Sequence, residues 1–471
     1  MKTLGISALH HDSAVCYTKN NEILFASGEE RFSRIKNDSS WPKHSIDYAI
    51  EHFGKPDNFV FYDKLSFSKR REIKSKLGKN VWFIDHHDSH AYSSIFTAPW
   101  DTRHPCAVMV VDTVGANKST SLGYWDGKNI NWLKVFRHPN SLGLFYSSIT
   151  RLIGYEPNLD ESKTMSAAAF GNPKWLPYME KYFLEYDFSS YQCLKDFRRG
   201  LGHGVLDFDI AASAQLLLQE ILITLAAWLQ KETKCDKLAY AGGVALNCVA
   251  NTKIFEETNF TEMWVQPAAG DAGGAMGAAF GERVLHPRVL CGPPAQWKNA
   301  YLGCDAGDNL DPAETAKKLI KGQIVPVLRG KAEWGPRALG NRSFLAVPNK
   351  INSIRLHDIK GRQTDRWRPW APICLSSVAN NYFEIVNPSY EMMFVAYSKT
   401  KQWFKYPDNT ARLQVVDSVN NPWLAEVLRI TTESGKPILI NTSLNVKGKP
   451  IVNTYEDYEK EIKNVFEKIA N

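Results

Sequence analysis

The chain has 471 residues, of which 44% are hydrophobic and 23% charged, and its 57 basic and 50 acidic side chains leave a net charge of +7. That length exceeds one ordinary core and predicts two or three domains, while the 14 Trp and the modest charged fraction exclude a disordered chain. The balance suits an anionic substrate such as a nucleotide and permits a nucleic-acid surface without requiring one. The 8 cysteines are scattered with no CxxC pair, which excludes a disulfide framework or zinc ribbon and predicts reduced thiols. No charged-then-apolar leader opens the sequence and no apolar run reaches the roughly 18 residues of a membrane span, so a soluble, cytoplasmic protein with no membrane partner is expected.

Thr3 to Ser7 reads as a buried strand, Ala14 to Tyr17 as a second, and the Asn pair at 20 and 21 as a hairpin turn before Ile23 to Ala26. Strand, polar turn and returning strand is how actin-like ATPases open, with the turn facing nucleotide phosphates. His11 and Asp12 at that turn either act on substrate or cap it. The charge-dense stretch 29 to 38 is a solvated loop by default, although Arg31, Arg34 and Lys36 are equally able to reach a phosphate. Ser45 to Phe53 has the pattern of an amphipathic helix, and Ser66 to Asn80 that of a strongly basic one.

Asp85 to Ser93 follows the apolar run Val81 to Ile84 and sets His86 and His90 four residues apart. On a helix that spacing puts both imidazoles on one face, able to share a divalent metal if other segments supply two more ligands. A bare HxxxH also occurs as a polar surface turn, and this one lacks the glutamate of HExxH proteases. Cys106 to Val111 is a continuous apolar run ending in Asp112, a carboxylate at the end of a buried strand, where open α/β sheets place ligand chemistry. Asp112 is the candidate third ligand. Ser141 to Ile153 and Ile210 to Trp228 read as helices, the second a core helix, with a basic glycine-bearing loop at 195 to 204 ahead of it. Lys237 to Tyr240 opens onto Gly242, Gly243 and Asn247, where paired glycines either admit a phosphate or sugar or merely pack a tight helix turn. Asp271, at a glycine-flanked strand-to-helix turn, is the candidate fourth ligand.

The segment 286 to 299, with Pro287, Gly292, Pro293 and Pro294, reads as a linker. Beyond it, Arg337 in GlyProArgAlaLeuGlyAsnArgSer, then Arg362, Arg366, Arg368 and Arg412 stand beside Gly, Pro and apolar runs, suggesting convergence on a buried anion.

HisHisAspSerHisAla at 86 to 91, GlyGlyValAlaLeuAsn at 242 to 247, ProAlaAlaGlyAsp at 267 to 271, GlyProArgAlaLeuGlyAsnArgSer at 335 to 343, ArgProTrpAlaPro at 368 to 372 and AsnThrSerLeuAsn at 441 to 445 resemble, in order, the O-carbamoyltransferases of the nodulation-protein U and antibiotic-tailoring group. The resemblance implies an α/β protein with an ASKHA-type (actin-like, threonylcarbamoyl-transferase-like) domain at 1–287 and a YrdC-like domain at 288–471. It implies that the second domain makes carbamoyl-AMP from carbamoyl phosphate and ATP, with Mg(II), and releases pyrophosphate. The first would then pass the carbamoyl group to a hydroxyl of an acceptor. By the same resemblance His86, His90, Asp112 and Asp271 hold a divalent ion, iron(II) in the family's metal site, and His11 is the general base. Lys36 joins the metal in taking up the leaving phosphate's charge, and Gly242, Gly243 and Asn247 stand with it as nucleotide contacts. Arg337, Arg368, Arg412, Asn441 and Ser443 match the carbamoyl phosphate and adenylate contacts, and Arg362 fits less well because a lysine is expected there.

The chain is shorter than most of the family, with the shortfall in the domain that builds the acceptor pocket, and 161 to 170 departs from the usual pattern. A small-molecule hydroxyl is the first expectation for the acceptor. The alternative keeps the chemistry but uses a hydroxymethylated base, 5-hydroxymethylcytosine, in DNA, which the basic stretches 69 to 79 and 195 to 203 would suit. A non-catalytic nucleotide-binding ASKHA sensor is the competing class, and either is compatible with a homodimer.

Overall fold

The computed structural model describes every residue except 21, 64, 186–196, 201–205, 286–296, 401–403 and 471, and every described side chain except those of 182–185 and 282–285. Most of the linker at 286 to 299 and of the basic loop at 195 to 204 therefore lies outside the described residues. The chain divides into two compact units, Met1–Leu24 with Ala49–Trp297, and Phe25–Tyr48 with Lys298–Asn471. Residues 25–48, expected in the first domain, thus belong to the second unit.

The chain opens with β1 (Lys2–Ser7), β2 (Ala14–Lys19) and β3 (Glu22–Gly28), followed by α1 (Glu30–Ser33) and α2 (Lys43–Phe53). Next come β4 (Asn58–Phe61), α3 (Phe67–Leu77), β5 (Val81–Phe83) and α4 (His86–Ile95). The first sheet has the order β3-β2-β1-β4-β5, with β1 antiparallel to β2 and parallel to β4. The second is built from β6 (Cys106–Gly115), β7 (Lys118–Trp125), β8 (Ile130–Arg137), β9 (Lys237–Ala241) and β10 (Glu262–Val265). Its order is β10-β9-β6-β7-β8, with β6 antiparallel to β7 and parallel to β9. Each sheet is therefore a three-strand meander whose first strand continues into two parallel strands, one topology used twice. That duplication meets the actin-like expectation for this part of the chain.

Between β8 and β9 lie α5 (Leu142–Leu152), α6 (Glu161–Ala168), α7 (Leu176–Glu185) and α8 (Asp207–Thr233). By length and composition α8 could cross a membrane, contrary to the sequence reading, because its few polar residues are spread thinly through Leu, Ile and Ala. It lies against α5, α6, α7, β6 and β7 with most of its apolar stretch buried, as a core helix does. Then come α9 (Cys248–Glu257) and α10 (Asp271–Leu285). Glycines let α10 pack tightly: a Cβ on Gly277 would stand 1.6 Å from the Ser89 carbonyl oxygen of α4, and one on Gly5 would stand 1.9 Å from the Ala275 carbonyl oxygen. That close approach brings the start of α10 beside the histidines of α4.

The second unit contains β11 (Tyr301–Asp305), α11 (Pro312–Ile320), β12 (Val325–Leu328), β13 (Lys331–Glu333), β14 (Arg342–Ala346) and α12 (Lys350–Ile359). After β15 (Ala371–Leu375) and α13 (Ser376–Tyr382), a small sheet of β16 (Phe383–Glu384), β17 (Ala396–Ser398) and β18 (Thr410–Ala411) leads to β19 (Gln414–Val416), α14 (Pro422–Glu433) and β20 (Leu439–Ser443). The main sheet has the order β12-β14-β20-β15-β19. Alternation sorts its side chains by face: Leu345 and Leu439 pack with α11 and α14, while Phe344 and Ile440 pack with α12.

Candidate active site

In the first unit, Asp85 caps α4 by accepting from the His87 N–H, which starts the helix at His86 and puts His86 and His90 on one face. Asp112 sits where the register of β6 against β7 slips between Val111 and Gly115, and Asp271 is the first residue of α10. These four side chains, from three separate stretches, converge as the sequence reading expects. Each offers one ligand atom, and the four atoms lie within 4.8 Å of one another. His86 Nε2 is 3.1 Å from His90 Nε2, 3.1 Å from Asp112 Oδ2 and 3.5 Å from Asp271 Oδ1. His90 Nε2 is 3.4 Å from the same oxygen of each carboxylate.

A metal with nitrogen and oxygen ligands at about 2.1 Å has neighbouring ligand atoms roughly 3.0 to 3.4 Å apart, so the cluster has the right dimensions. Its charge fits too, since two carboxylates and two neutral imidazoles balance a divalent cation. With only protons to neutralise it, burial acts against charge at His90, yet the Asp112 and Asp271 carboxylates outweigh burial and hold this imidazole up at about 10. Burial also opposes ionisation of Asp112, but hydrogen bonds from His86 and His90 keep its carboxyl well below the usual range. The site demands positive charge.

The glycine turn after β9 serves this cluster. Gly242 has φ +99°, and a Cβ there would stand 2.1 Å from the Val111 carbonyl oxygen. The Gly243 N–H donates to Asp112 Oδ1 at 3.1 Å, which orients the carboxylate. Asn247 is spent elsewhere: its side chain caps α9 through the Ala250 N–H and exchanges two hydrogen bonds with Gln215. Gly115, which the sequence reading passed over, allows the His86 ring its place, because a Cβ there would lie 2.0 Å from the ring's Cδ2. Gly115→Ala is expected to displace the ring and weaken metal binding about 10- to 100-fold, measured by competition against a chelator.

The turn after β1 adds two more histidines. Leu9 takes φ +77°, a left-handed conformation that costs a leucine roughly 1–2 kcal/mol. His10 Nε2 lies 3.2 Å from Oδ2 of the buried Asp63, and the same oxygen is 4.0 Å from Nδ1 of His86. His11 Nδ1 lies 3.1 Å from Asp12 Oδ2, and its Nε2 is 3.1 Å from the Asn158 carbonyl oxygen. Burial lowers the His11 pKa, but the Asp12 carboxylate wins and the imidazole titrates at about 9. Asp12→Asn is expected to bring that midpoint down toward the ordinary value of about 6.5, followed by the His11 ring signal in a proton NMR titration.

In the second unit the structure gathers cations. Lys360 is 1% exposed and donates to Ser443 Oγ at 3.0 Å and to Asn445 Oδ1 at 2.6 Å. Burial first, then Arg362, Arg368 and Lys36, push its pKa well below the ordinary lysine value. Arg362 titrates at about 9, lowered by burial and then by Arg368, with Arg412 adding to the effect. So Lys36, expected to act with the metal, adds its charge here. Arg34 is committed to Glu461 and to the Pro450 and Ile451 carbonyls, and Arg31 to the Gly335 carbonyl. Arg337 is half-buried on the turn between β13 and β14. Asn441, on β20, donates to the Ala338 carbonyl and to Gln414, while its buried Oδ1 and the Arg412 Nε have no partner among the described residues. Sequence reasoning missed Lys360 and Gln414; a lysine two residues before the ill-fitting Arg362 was the available signal.

A family model described as "Carbamoyltransferase N-terminus" matches residues 2–70 and 57–280, and one described as "Carbamoyltransferase C-terminus" matches 316–467. The nodulation protein NolNO of Sinorhizobium fredii is 28% identical, over 95% of this chain and 76% of its own. The 3'-hydroxymethylcephem-O-carbamoyltransferase of Streptomyces clavuligerus is 27% identical, over 95% of this chain and 93% of its own. Among solved structures, HypF of T. kodakarensis overlaps with a TM-score of 0.41 at 14% identity, covering 60% of this chain and 47% of that one.

Proposed function

The chain belongs to the carbamoyltransferase family and is an enzyme of that kind, and from that premise we propose that its two units carry two half-reactions ending in carbamoyl transfer to the hydroxyl of a small molecule. The observation that carries this reading is the opposite electrostatic character of the two sites. The cation cluster of Lys36, Lys360, Arg362, Arg368 and Arg412 calls for anions and suits carbamoyl phosphate and ATP together. There water cleaves carbamoyl phosphate to carbamate and phosphate, and a carbamate oxygen then attacks the α-phosphorus of ATP to give carbamoyl-AMP and pyrophosphate, with Asn441 and Ser443 as further contacts in this reading. A YrdC-like fold for this unit is part of the reading.

The four-ligand cluster serves the transfer step. His86, His90, Asp112 and Asp271 would hold a divalent ion, iron(II) by the family resemblance, which would supply positive charge to offset that of the leaving phosphate. Gly243 keeps Asp112 in orientation for it, and Tyr62, 3.4 Å from Asp271 Oδ2, does the same for Asp271. His11, at the turn after β1 with the Asp12 carboxylate and the Asn158 carbonyl beside its ring nitrogens, is the general base of this reading.

The second acceptor, a hydroxymethylated base in DNA, has one observation in its favour: α3 exposes Lys69, Arg71, Lys74 and Lys76. Affinity for duplex DNA that falls steeply with salt supports it, and weak, salt-independent binding removes it. The main reading is tested by incubation with ATP, carbamoyl phosphate and a panel of hydroxylated acceptors, hydroxymethylcytosine DNA included. Pyrophosphate release should depend on carbamoyl phosphate, and one acceptor should gain one carbamoyl group by mass spectrometry. A silent nucleotide sensor would release no pyrophosphate.

A further inference from the structure

β13 ends at Glu333 and β14 begins at Arg342, and the two strands belong to different sheets, β13 beside β11 and β14 between β12 and β20. The loop between them, which carries Arg337, is therefore not the turn of a hairpin. Side chains fix its backbone instead. Glu333 Oε1 accepts three buried backbone N–H groups, those of Leu339 at 2.8 Å, Asn341 at 2.8 Å and Arg342 at 3.0 Å. Amides gathered round one oxygen in this way call for a full negative charge. Glu333 Oε2 is buried with no partner among the described residues, so every hydrogen bond this carboxyl makes goes to the loop and the strand start that closes it. The loop's carbonyls are held as well: Gly335 by Arg31 at 3.1 Å, Ala338 by Asn441 at 3.0 Å, and Leu339 by Gln414 at 2.9 Å and Tyr301 at 2.8 Å. Gly335 at φ +99° and Gly340 at φ +111° give the loop its two left-handed bends. Asn441 stands two residues before Ser443 on β20, and Ser443 Oγ accepts from Lys360 of the cation cluster. One residue past Arg337, the loop is thus tied to the strand that meets those cations.

We propose that Glu333 is a positioning residue of the adenylate-forming half-reaction: by gathering the amides of Leu339, Asn341 and Arg342 it holds the loop in the shape that sets Arg337 against the phosphate of carbamoyl phosphate. The proposal rests on the two-step reading above, in which Arg337 is an anion contact. At 3% exposure Glu333 meets no substrate itself, and its effect passes through the arginine. Its charge matters beyond the three amides. Burial works against the Arg31 and Arg342 guanidiniums, and the Glu333 carboxylate offsets part of that cost at both. Glu333→Gln keeps an oxygen for the amides but removes the charge, and hydrogen bonds to an ionised acceptor are roughly twice as strong as neutral ones. The loop then loses its anchor while the arginine remains.

The test is a double-mutant cycle on the full chain, reading carbamoyl-phosphate-dependent pyrophosphate release at saturating ATP. Arg337→Ala is expected to raise KM for carbamoyl phosphate about 10- to 100-fold, and Glu333→Gln to raise it about 10-fold with kcat within about threefold of the parent. Added to Arg337→Ala, Glu333→Gln should change KM by less than about twofold, because the group it positions is gone. A residue serving only the fold would have the same effect in both backgrounds. Thermal melting checks that each variant is folded. Tyr301→Phe, which removes one hydrogen bond from the same loop, replaces Glu333→Gln in the cycle if the latter does not fold. A KM within about twofold of the parent in folded Glu333→Gln, or a further rise of about 10-fold on top of Arg337→Ala, overturns the proposal. A KM unchanged by Arg337→Ala overturns it as well, by taking Arg337 out of the anion site. Absence of carbamoyl-phosphate-dependent pyrophosphate release from the parent enzyme is a separate outcome, which defeats the two-step reading and the proposal with it.

Discussion

His90→Ala is expected to abolish carbamoyl transfer while leaving carbamoyl-phosphate-dependent pyrophosphate release largely intact. His90 is fully buried and its Nε2 faces His86 and both ligand carboxylates. Its loss leaves three ligand groups and two carboxylates facing each other with less positive charge between them, so metal affinity falls as well. Stabilisation of transition-state charge by a bound ion is worth several kcal/mol, and each 1.36 kcal/mol is tenfold in rate, so a loss of about 10³-fold or more is expected. Equal loss of both activities would place the metal in the adenylate-forming half-reaction. Metal content per chain, measured alongside, separates a lost ion from a misplaced one.

Arg412→Ala is expected to do the reverse, cutting pyrophosphate release about 10²-fold or more. Removing one charged donor from an anion site costs on that scale. Its effect on the ligand-free protein has the opposite sign. Arg362 and Lys360 are pushed below their ordinary pKa values by burial and by their cationic neighbours, so the cations work against one another. With Arg412 gone the Arg362 pKa should rise and the ligand-free protein should melt no lower than the parent. The rise in melting temperature that ATP with carbamoyl phosphate gives the parent should shrink or vanish. A variant that loses stability but keeps its ligand-induced shift would make Arg412 a structural residue.

The four candidate ligands were legible because each carries a local signature: two histidines at helical spacing, a carboxylate ending an apolar strand run, and a carboxylate at a glycine-flanked turn. What joined them was tertiary, and so invisible in any one stretch. Asp63 and Tyr62 reach His86 only because β4 runs beside β5, the strand that leads into α4. Asn247 was readable as the end of a glycine turn, while the pairing of its amide with Gln215 is tertiary. Lys36 was readable as a phosphate contact from its charge-dense stretch, while its membership of the second unit, where its charge acts on Lys360, is tertiary. Lys360 was signalled only by its place two residues before the ill-fitting Arg362, and its burial beside other cations, which makes its charge unusual, is tertiary. The duplicated sheets were legible at their first hairpin and hidden at their second, where β8 is half-exposed with no clean alternation.

The account stands most directly on one stoichiometry. With ATP, carbamoyl phosphate and a productive acceptor in a single reaction, pyrophosphate, AMP and carbamoylated acceptor should form in equal amounts, with no pyrophosphate when carbamoyl phosphate is left out. Carbamoylated acceptor formed without ATP, or ADP appearing in place of AMP and pyrophosphate, would contradict it.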